Sequence, residues 1–416
     1  MQSSDRRVRL GVAAVLVPTV VALLAACGSA APGTSTSSSS TGATIAPVSK
    51  GVSRVSIELV STGSGDACRV SHSTAKAGPV TFTVTNTSAT GITEAELVQG
   101  QRILGEKENL APGLAAVSFT TTLTGGTYAV VCPGATTESI PFTVTGKARG
   151  QSGSDASTLL AAGTKTYGDY VSNTLGDMVT AVKNLQAAVE SGDVTAAKRQ
   201  YALARPFYEK VESDVAGFVL PGTDPTDNAG NLDYLVDMRA SNLDPAVGWS
   251  GFHSIERDLW QGGRITSTTK KTASDLTADV EKLVSLAKTL SYKPEDLANG
   301  AAGLLEEVQS GKITGEEEAY SHLDLVDFAA NIEGAQQAFA NLEPGLKKID
   351  PALTQQVAAR FTAVTEALSK YKDPSLPGGY ELYTPALRAA DAASLSSTVQ
   401  SLQEPLSRIA EKVATA

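Results

Sequence analysis

Hydrophobic residues follow two different rhythms along this chain, and the change falls near residue 150. From Ser49 to Val144 apolar and polar residues alternate, as in Val52-Ser-Arg-Val-Ser-Ile-Glu-Leu59 and Val80-Thr-Phe-Thr-Val-Thr85. A two-residue period carried by β-branched side chains predicts strands with one buried face. Val117–Leu123, Tyr128–Cys132 and Ile140–Thr145 continue the pattern. Thr90-Gly91, Pro112-Gly113, Gly125-Gly126 and Pro133-Gly134 break it at turn spacing. Roughly seven short strands over residues 49–145 predict an all-β Greek-key sandwich.

Residues 146–157, rich in Gly and Ser, read as a linker. Beyond it, from 158 to 416, the period becomes helical. Leu175, Met178, Val179, Val182, Leu185 and Val189 recur at three- and four-residue spacing, as do Ala197, Tyr201, Tyr208, Val211 and Val215. Thr314 with Glu317 has the form of a capping box, which predicts a long helix from there to about Leu342. Further helices are expected near 274–291, 295–310, 351–371 and 390–413. Long helices with short connections predict one antiparallel bundle or a pair of them.

The N-terminus has the pattern of an export signal. Arg6, Arg7 and Arg9 precede an apolar stretch from Leu10 to Ala26, and Leu24-Ala-Ala-Cys27 reads as a lipobox with Cys27 lipidated. Residues 1–27 are then a signal peptide and 28–48 a Ser/Thr-rich tether, which predicts a protein anchored at the outer face of the cytoplasmic membrane. In that oxidising compartment the other two cysteines, Cys68 and Cys132, read first as a disulfide and second as metal thiolates. A net charge of −10 argues against a nucleic-acid partner.

The candidate chemistry centres on His253 and Glu256, which helical spacing places on one face, where they can converge on one ion. Glu209 and Glu212 repeat that spacing, and Asp237 shortly precedes the histidine. Carboxylates with one imidazole on successive helices match the way bundles build metal sites, and this donor set suits iron. Glu317 is a further candidate, whereas His322 reads as structural. No second histidine completes a zinc-peptidase motif, and no nucleophile arrangement is visible. The sandwich holds a single histidine, His72, and none of the chain's methionines, which excludes a blue-copper site. Glu94, Glu96, Glu106 and Glu108 are the donors it offers instead.

These segments carry a resemblance. Trp249-Ser-Gly-Phe-His-Ser-Ile-Glu-Arg-Asp-Leu-Trp260, Asp237-Met-Arg239 and Tyr208-Glu-Lys-Val-Glu212 resemble the imelysin-like domain. Tyr320-Ser-His-Leu-Asp-Leu-Val-Asp-Phe-Ala-Ala-Asn-Ile-Glu-Gly-Ala335 is similar to the form found in EfeO-type iron-uptake proteins. Cys68, Glu94-Ala-Glu96, Gly105-Glu-Lys-Glu-Asn-Leu-Ala-Pro-Gly113 and Cys132 resemble the cupredoxin-like half of the same proteins. The resemblance implies a cupredoxin-like sandwich followed by an imelysin-like helical bundle. It also implies capture of ferric or ferrous iron, delivery to an EfeU-like membrane permease, and an EfeB-like haem peroxidase in the same system. The ligands it implies are Glu209, Glu212, Asp237, His253 and Glu256. A second site would draw on Cys68, Glu94, Glu96, Glu108 or Cys132, with copper or zinc as other occupants. Gly217 to Gly230 is longer than usual for the family, which bears on Asp237, and Val326 stands where the family often has Trp. The family carries a peptidase name, so a metallopeptidase is the rival expectation. Against it, a carboxylate-rich donor set lowers a metal's Lewis acidity.

Overall fold

Alternation in the first third of the chain produces two facing sheets. The computed structural model describes residues 44–100, 102–148, 153–224 and 226–416. The signal segment, Cys27, most of the 28–48 tether and the middle of the linker lie outside those residues. Ten strands are described: β1 (Val48–Ser49), β2 (Val52–Thr62), β3 (Gly65–Val70), β4 (Thr74–Lys76), β5 (Gly78–Asn86), β6 (Ala95–Gln99), β7 (Arg102–Lys107), β8 (Val117–Leu123), β9 (Gly126–Val131) and β10 (Ser139–Thr145). One sheet runs β1-β2-β5-β8 with β3 also on β2; the other runs β4-β10-β9-β6-β7. β2 with β5 and β4 with β10 are parallel, so the sandwich is mixed and not a simple meander. Roughly seven strands were expected; of the additional ones, β1 and β4 are too short to show a period.

Alternate residues of β2, Val55, Ile57 and Leu59, point into the core. There Phe82 stacks on Phe119 at 5.1 Å and meets Phe142 edge-on at 5.4 Å. Cys68 on β3 is disulfide-bonded to Cys132, just past β9, which ties one sheet to the other.

Helices follow: α1 (Asp155–Ser191), α2 (Val194–Glu209), α3 (Glu212–Val215), α4 (Leu232–Asp237), α5 (Gly251–Glu256), α6 (Ser267–Ala287), α7 (Pro294–Glu307), α8 (Asp324–Ile349), α9 (Pro351–Ser369), α10 (Pro385–Leu406) and α11 (Ile409–Ala414). Ser154 caps α1 by accepting from Ser157 N, and Gly192 ends it in the left-handed conformation. α1 is the spine, packing against α2, α6 and α8. The expected helix from Thr314 does not form. The Thr314 hydroxyl donates back to the Ser310 and Gly311 carbonyls, each at 2.8 Å. Glu317 turns inward to buried cations, so α8 begins only at Asp324.

The sandwich sits directly on the bundle. Lys107 of β7, 4% exposed, pairs with Glu306 of α7 at 2.7 Å. Asn299 of α7 donates to the Thr120 carbonyl at 2.6 Å, and Arg54 of β2 makes a two-pronged pair with Glu411 of α11 at 2.5 and 2.6 Å. Within the bundle α1 crosses α8 with no room for a side chain: a Cβ on Gly163 would lie 2.0 Å from the Asn341 carbonyl oxygen. Gly163→Ala is therefore expected to destabilise the fold by about 1–3 kcal/mol, since overpacking forces the backbones apart. A urea unfolding curve checks this, and an unchanged midpoint refutes the tight crossing.

Candidate metal centre

The interior of the bundle is built around a charged cluster. α2 supplies Arg205 and Glu209, α4 ends on Asp237, and α5 carries His253 and Glu256. The turn before α8 supplies Glu317 and Glu318, and α8 itself supplies Asp324, Asp327 and Asn331. All of these are buried. Gly251 makes the α4–α5 approach possible. Its φ is +65°, and a Cβ there would lie 2.1 Å from the Val236 carbonyl oxygen. That contact sets the first turn of α5 against the end of α4 and so brings His253 beside Asp237.

His253 presents two different faces. Its Nε2 lies 3.6 Å from Asp237 Oδ1 and 3.5 Å from Glu317 Oε1, and it makes no hydrogen bond. Its Nδ1 lies 3.1 Å from Glu256 Oε2 and 3.9 Å from Glu318 Oε1. The other Glu256 oxygen accepts the Tyr320 and Ser321 backbone N–H groups at 2.8 and 2.6 Å. Asp237, His253 and Glu317 form one group of donors close enough to share an ion; His253, Glu256 and Glu318 form the other. Donors about 3.5 Å apart match the edge of a tetrahedron with bonds of roughly 2.1 Å, so the residues present fit a metal. On the Nε2 side the arrangement is that of a ligating imidazole whose other nitrogen is held by a carboxylate. In that arrangement Glu256 would orient the ring while Asp237 and Glu317 would share an ion with Nε2.

Glu209 and Glu212 do not join this group. α2 ends at Glu209, and Lys210 and Val211 form a turn before α3, yet both carboxylates face the Lys312 ammonium. Glu209 pairs with Arg205, accepts from Asn331 Nδ2 at 2.9 Å, and meets Lys312 Nζ at 3.1 Å. Glu212 meets Lys312 only at 3.9 Å.

Carboxylates outnumber cations here, and three basic side chains hold them in place. Arg205 pairs with Asp237 and Glu209, and lies 3.1 Å from both Glu317 and Glu318. It also lies over the Phe252 ring at 5.2 Å. Lys312 reaches Glu317 at 3.2 Å; Arg239 bridges Glu307 at 2.8 Å and Glu317 at 3.2 Å. The protonation states follow. Burial alone would pull the His253 imidazolium down, but the carboxylates of Asp237, Glu256 and Glu317 push it well above its usual value. Burial pushes Glu317 up, yet Lys312, Arg239 and His253 hold it well below the usual range. Glu318, raised by burial and by Glu256, is pushed up to about 8.

The sandwich candidates fare differently. Cys68 and Cys132 are consumed by their disulfide, so neither is available as a thiolate ligand. Glu96 lies opposite Glu106 across β6 and β7, and burial with repulsion from Glu106 and Glu94 pushes it up to about 9. Glu108 lies near Glu307 at the bundle surface. Among the described residues, no three sandwich donors come as close together as the two groups around His253. His322 stands outside both groups, with a φ of 62° in the turn before α8. The pattern gave no warning of Lys312, Arg239 or Glu318. Glu318 belongs to the run Glu316-Glu-Glu318, which has no helical period and looks like solvated loop.

A β-sandwich joined to a helical bundle with a buried histidine–carboxylate centre defines the class of protein. The model of the imelysin (peptidase M75) family matches residues 163–409. A Staphylococcus haemolyticus protein described as an Efem/EfeO family lipoprotein is 37% identical over 254 residues, covering 60% of this chain and 83% of that relative. Its Staphylococcus aureus (strain MSSA476) counterpart of the same description is 36% identical, with 60% and 84% covered. A solved structure, catalogued provisionally as an iron-regulated protein A precursor from Parabacteroides distasonis, is 15% identical with a TM-score of 0.47. It covers 64% of this chain and 97% of that one, a likeness too slight to decide the fold. The chain belongs to the imelysin family and, within it, to the EfeM/EfeO-type lipoproteins. No helix among the described residues is long and apolar enough to cross a membrane.

Two outcomes are expected. Arg205→Met strips the counter-ion from several buried carboxylates and should destabilise the metal-free protein by about 3–5 kcal/mol; thermal unfolding with and without metal measures it. The metal-free protein should also lose stability as pH rises from about 5 to about 8. Glu318 at about 8, Asp233 and Asp214 at about 7, and the raised His253 all hold protons in the folded state that the unfolded chain has released. The depressed Asp237 and Glu317 act oppositely, but their contribution is lost only at acid pH, below that window. A flat or rising stability curve across the window refutes this protonation pattern.

Proposed function

We propose that this protein is the extracytoplasmic iron-binding component of an EfeUOB-type uptake system. It captures iron at the outer face of the cytoplasmic membrane, to which Cys27 tethers it, and passes the iron to an EfeU-like permease. An EfeB-like haem peroxidase serves the same system. The observation that carries the reading is the unpartnered Nε2 of His253, 1% exposed and set between Asp237 and Glu317. A cation between those carboxylates and Nε2 would gain both charges and a nitrogen ligand and would displace the imidazole proton, which an apolar or neutral occupant could not do.

The cargo suits the donors. Carboxylate oxygen with one imidazole nitrogen accommodates ferrous and ferric iron alike. Release is as necessary as capture, and the cluster is arranged for both. When the ion leaves, Arg205, Lys312 and a proton on His253 remain to neutralise Asp237 and Glu317, so the emptied centre does not collapse.

Burial also favours a carrier over a peptidase. Hydrolysis requires an extended peptide laid against the metal, and Glu256 and Glu317 are 0% and 1% exposed. We therefore assign no catalytic role to the chain. His253→Ala combined with Glu256→Ala is expected to weaken iron binding by more than about 100-fold, read by equilibrium titration and by metal content after purification. Undiminished affinity in that variant defeats the assignment, and peptide hydrolysis abolished by it establishes an enzyme instead.

A further inference from the structure

A groove of about 880 Å³ runs between the sandwich and the starts of α1 and α7. Four lysines line it: Lys50 in the β1–β2 turn, Lys76 at the end of β4, Lys147 just past β10 and Lys293 at the head of α7. All four are exposed, and among the described residues none forms an ion pair with an aspartate or glutamate. The acids beside them are committed elsewhere. Glu411 is held by Arg54 at 2.5 and 2.6 Å, and Glu295, 1% exposed, accepts the Thr122 N–H at 3.0 Å. Asp296 accepts the Lys293 backbone N–H at 2.8 Å. Ala416 also lines the groove, so even with a terminal carboxylate there the four ammonium groups are in surplus. In a chain of net charge −10 that surplus runs against the average.

Two further observations fall on the same face. Val48 lines the groove and is 51% exposed, and Ile45, at the root of the same segment, is 56% exposed. The chain also enters the fold here. The Thr44 hydroxyl donates to the Ser71 carbonyl at 3.4 Å, and the Ala46 N–H donates at 2.7 Å to the carbonyl of Thr74, the first residue of the short strand that ends on Lys76. Residues 28–43 separate Cys27 from Thr44, a reach of at most about 55 Å when fully extended. A lipid on Cys27 therefore delivers this end of the protein to the membrane without choosing which face meets it. Ammonium groups on apolar stems, set beside exposed Ile and Val, are the combination that settles at a headgroup layer.

We propose that this face docks on an anionic bilayer, with Lys50, Lys76, Lys147 and Lys293 against phosphate headgroups and Ile45 and Val48 in the layer beneath them. The inference rests on the anchored-carrier reading above and adds an orientation to it. Each ammonium near a negatively charged surface favours binding by about fivefold. The tether supplies a high local concentration of that surface, so several weak contacts suffice for a docked state. The acidic remainder of the protein is repelled by the same lipids, which selects this face over the others. Docking thus turns a carrier that is merely leashed into one held in a fixed attitude beside the membrane.

The test is a footprint of the lysines. The full lipidated chain is reconstituted on vesicles of phosphatidylcholine alone, or of phosphatidylcholine and phosphatidylglycerol in equal parts. A membrane-impermeant amine reagent labels exposed lysines, and mass spectrometry reads the rate at each. Lys183, about 28 Å along α1 from Thr164 of the groove, is the internal reference. On the mixed vesicles Lys50, Lys76 and Lys147 should label about tenfold more slowly than on phosphatidylcholine, with Lys183 unchanged. Salt at about 1 M should abolish the difference. Lys76→Gln/Lys147→Gln, both at exposed positions, should restore fast labelling of Lys50 on the mixed vesicles. Equal rates on the two lipids, or equal slowing at Lys183, overturns the docking face while leaving the anchor intact. Slowing found in native membranes but not on protein-free vesicles assigns the face to a protein partner and overturns the bilayer. A chain that floats with neither vesicle overturns the anchor, and the docking face with it.

Discussion

The helical domain is organised by the need to bury more negative than positive charge in one place. An isolated carboxylate in a protein interior costs several kcal/mol even after relaxation. Here Asp237, Glu317, Glu318, Glu209 and Asp327 all converge on the Arg205 guanidinium. One planar cation with a fan of donors can hold several carboxylates at once, as the point charge of a lysine cannot. Arg205 therefore keeps mutually repelling groups at ligand distance, part of what a bound cation would do there. The remainder is carried by Lys312, Arg239 and the imidazolium of His253.

Such an interior needs rigid walls. α1, a helix of 37 residues capped at both ends, spans the bundle. The Gly163 crossing onto α8 and the Gly251 contact between α5 and α4 both replace a side chain with direct backbone approach. The second contact matters most for chemistry, because it sets the distance from His253 to Asp237. The sandwich completes the enclosure on one side. Its Lys107 and Arg54 pair with α7 and α11, and its β7 edge brings carboxylates to the junction that the bundle alone lacks. The disulfide between Cys68 and Cys132 braces that wall, so both residues serve as scaffold.

Sequence patterning reached the architecture because periodicity is local. Two-residue alternation in Val52–Leu59 and three- and four-residue spacing in Leu175–Val189 record which side of each element faces a core, whatever that core contains. The lipoprotein description of the relatives agrees with the export-type motif ending at Cys27, and the rarity of histidine singles out His253 and Glu256. What failed was any inference needing a side chain's distant partners. Thr314 and Glu317 have the spacing of a capping box, but Glu317 has stronger attractions in Lys312 and Arg239, brought close only by folding.

The same division separates the candidate ligands. The chain by itself determined that a histidine and several carboxylates lie on neighbouring helices. Spacing also suggested that Glu209 and Glu212 act together and that Glu256 shares an ion with His253. On the first point tertiary structure puts a turn at Lys210 and Val211 between them and supplies a cation they share, Lys312, while Glu209 also pairs with Arg205. On the second it gathered Glu256 and Glu318 about Nδ1 and Asp237 and Glu317 about Nε2, two donor groups where spacing offered one. The physical reason is that helical spacing fixes only the direction in which a side chain leaves its own backbone. Which carboxylate meets which cation is settled by electrostatic balance across the whole interior, and that balance exists only once the helices, the turn before α8 and the sandwich edge have come together.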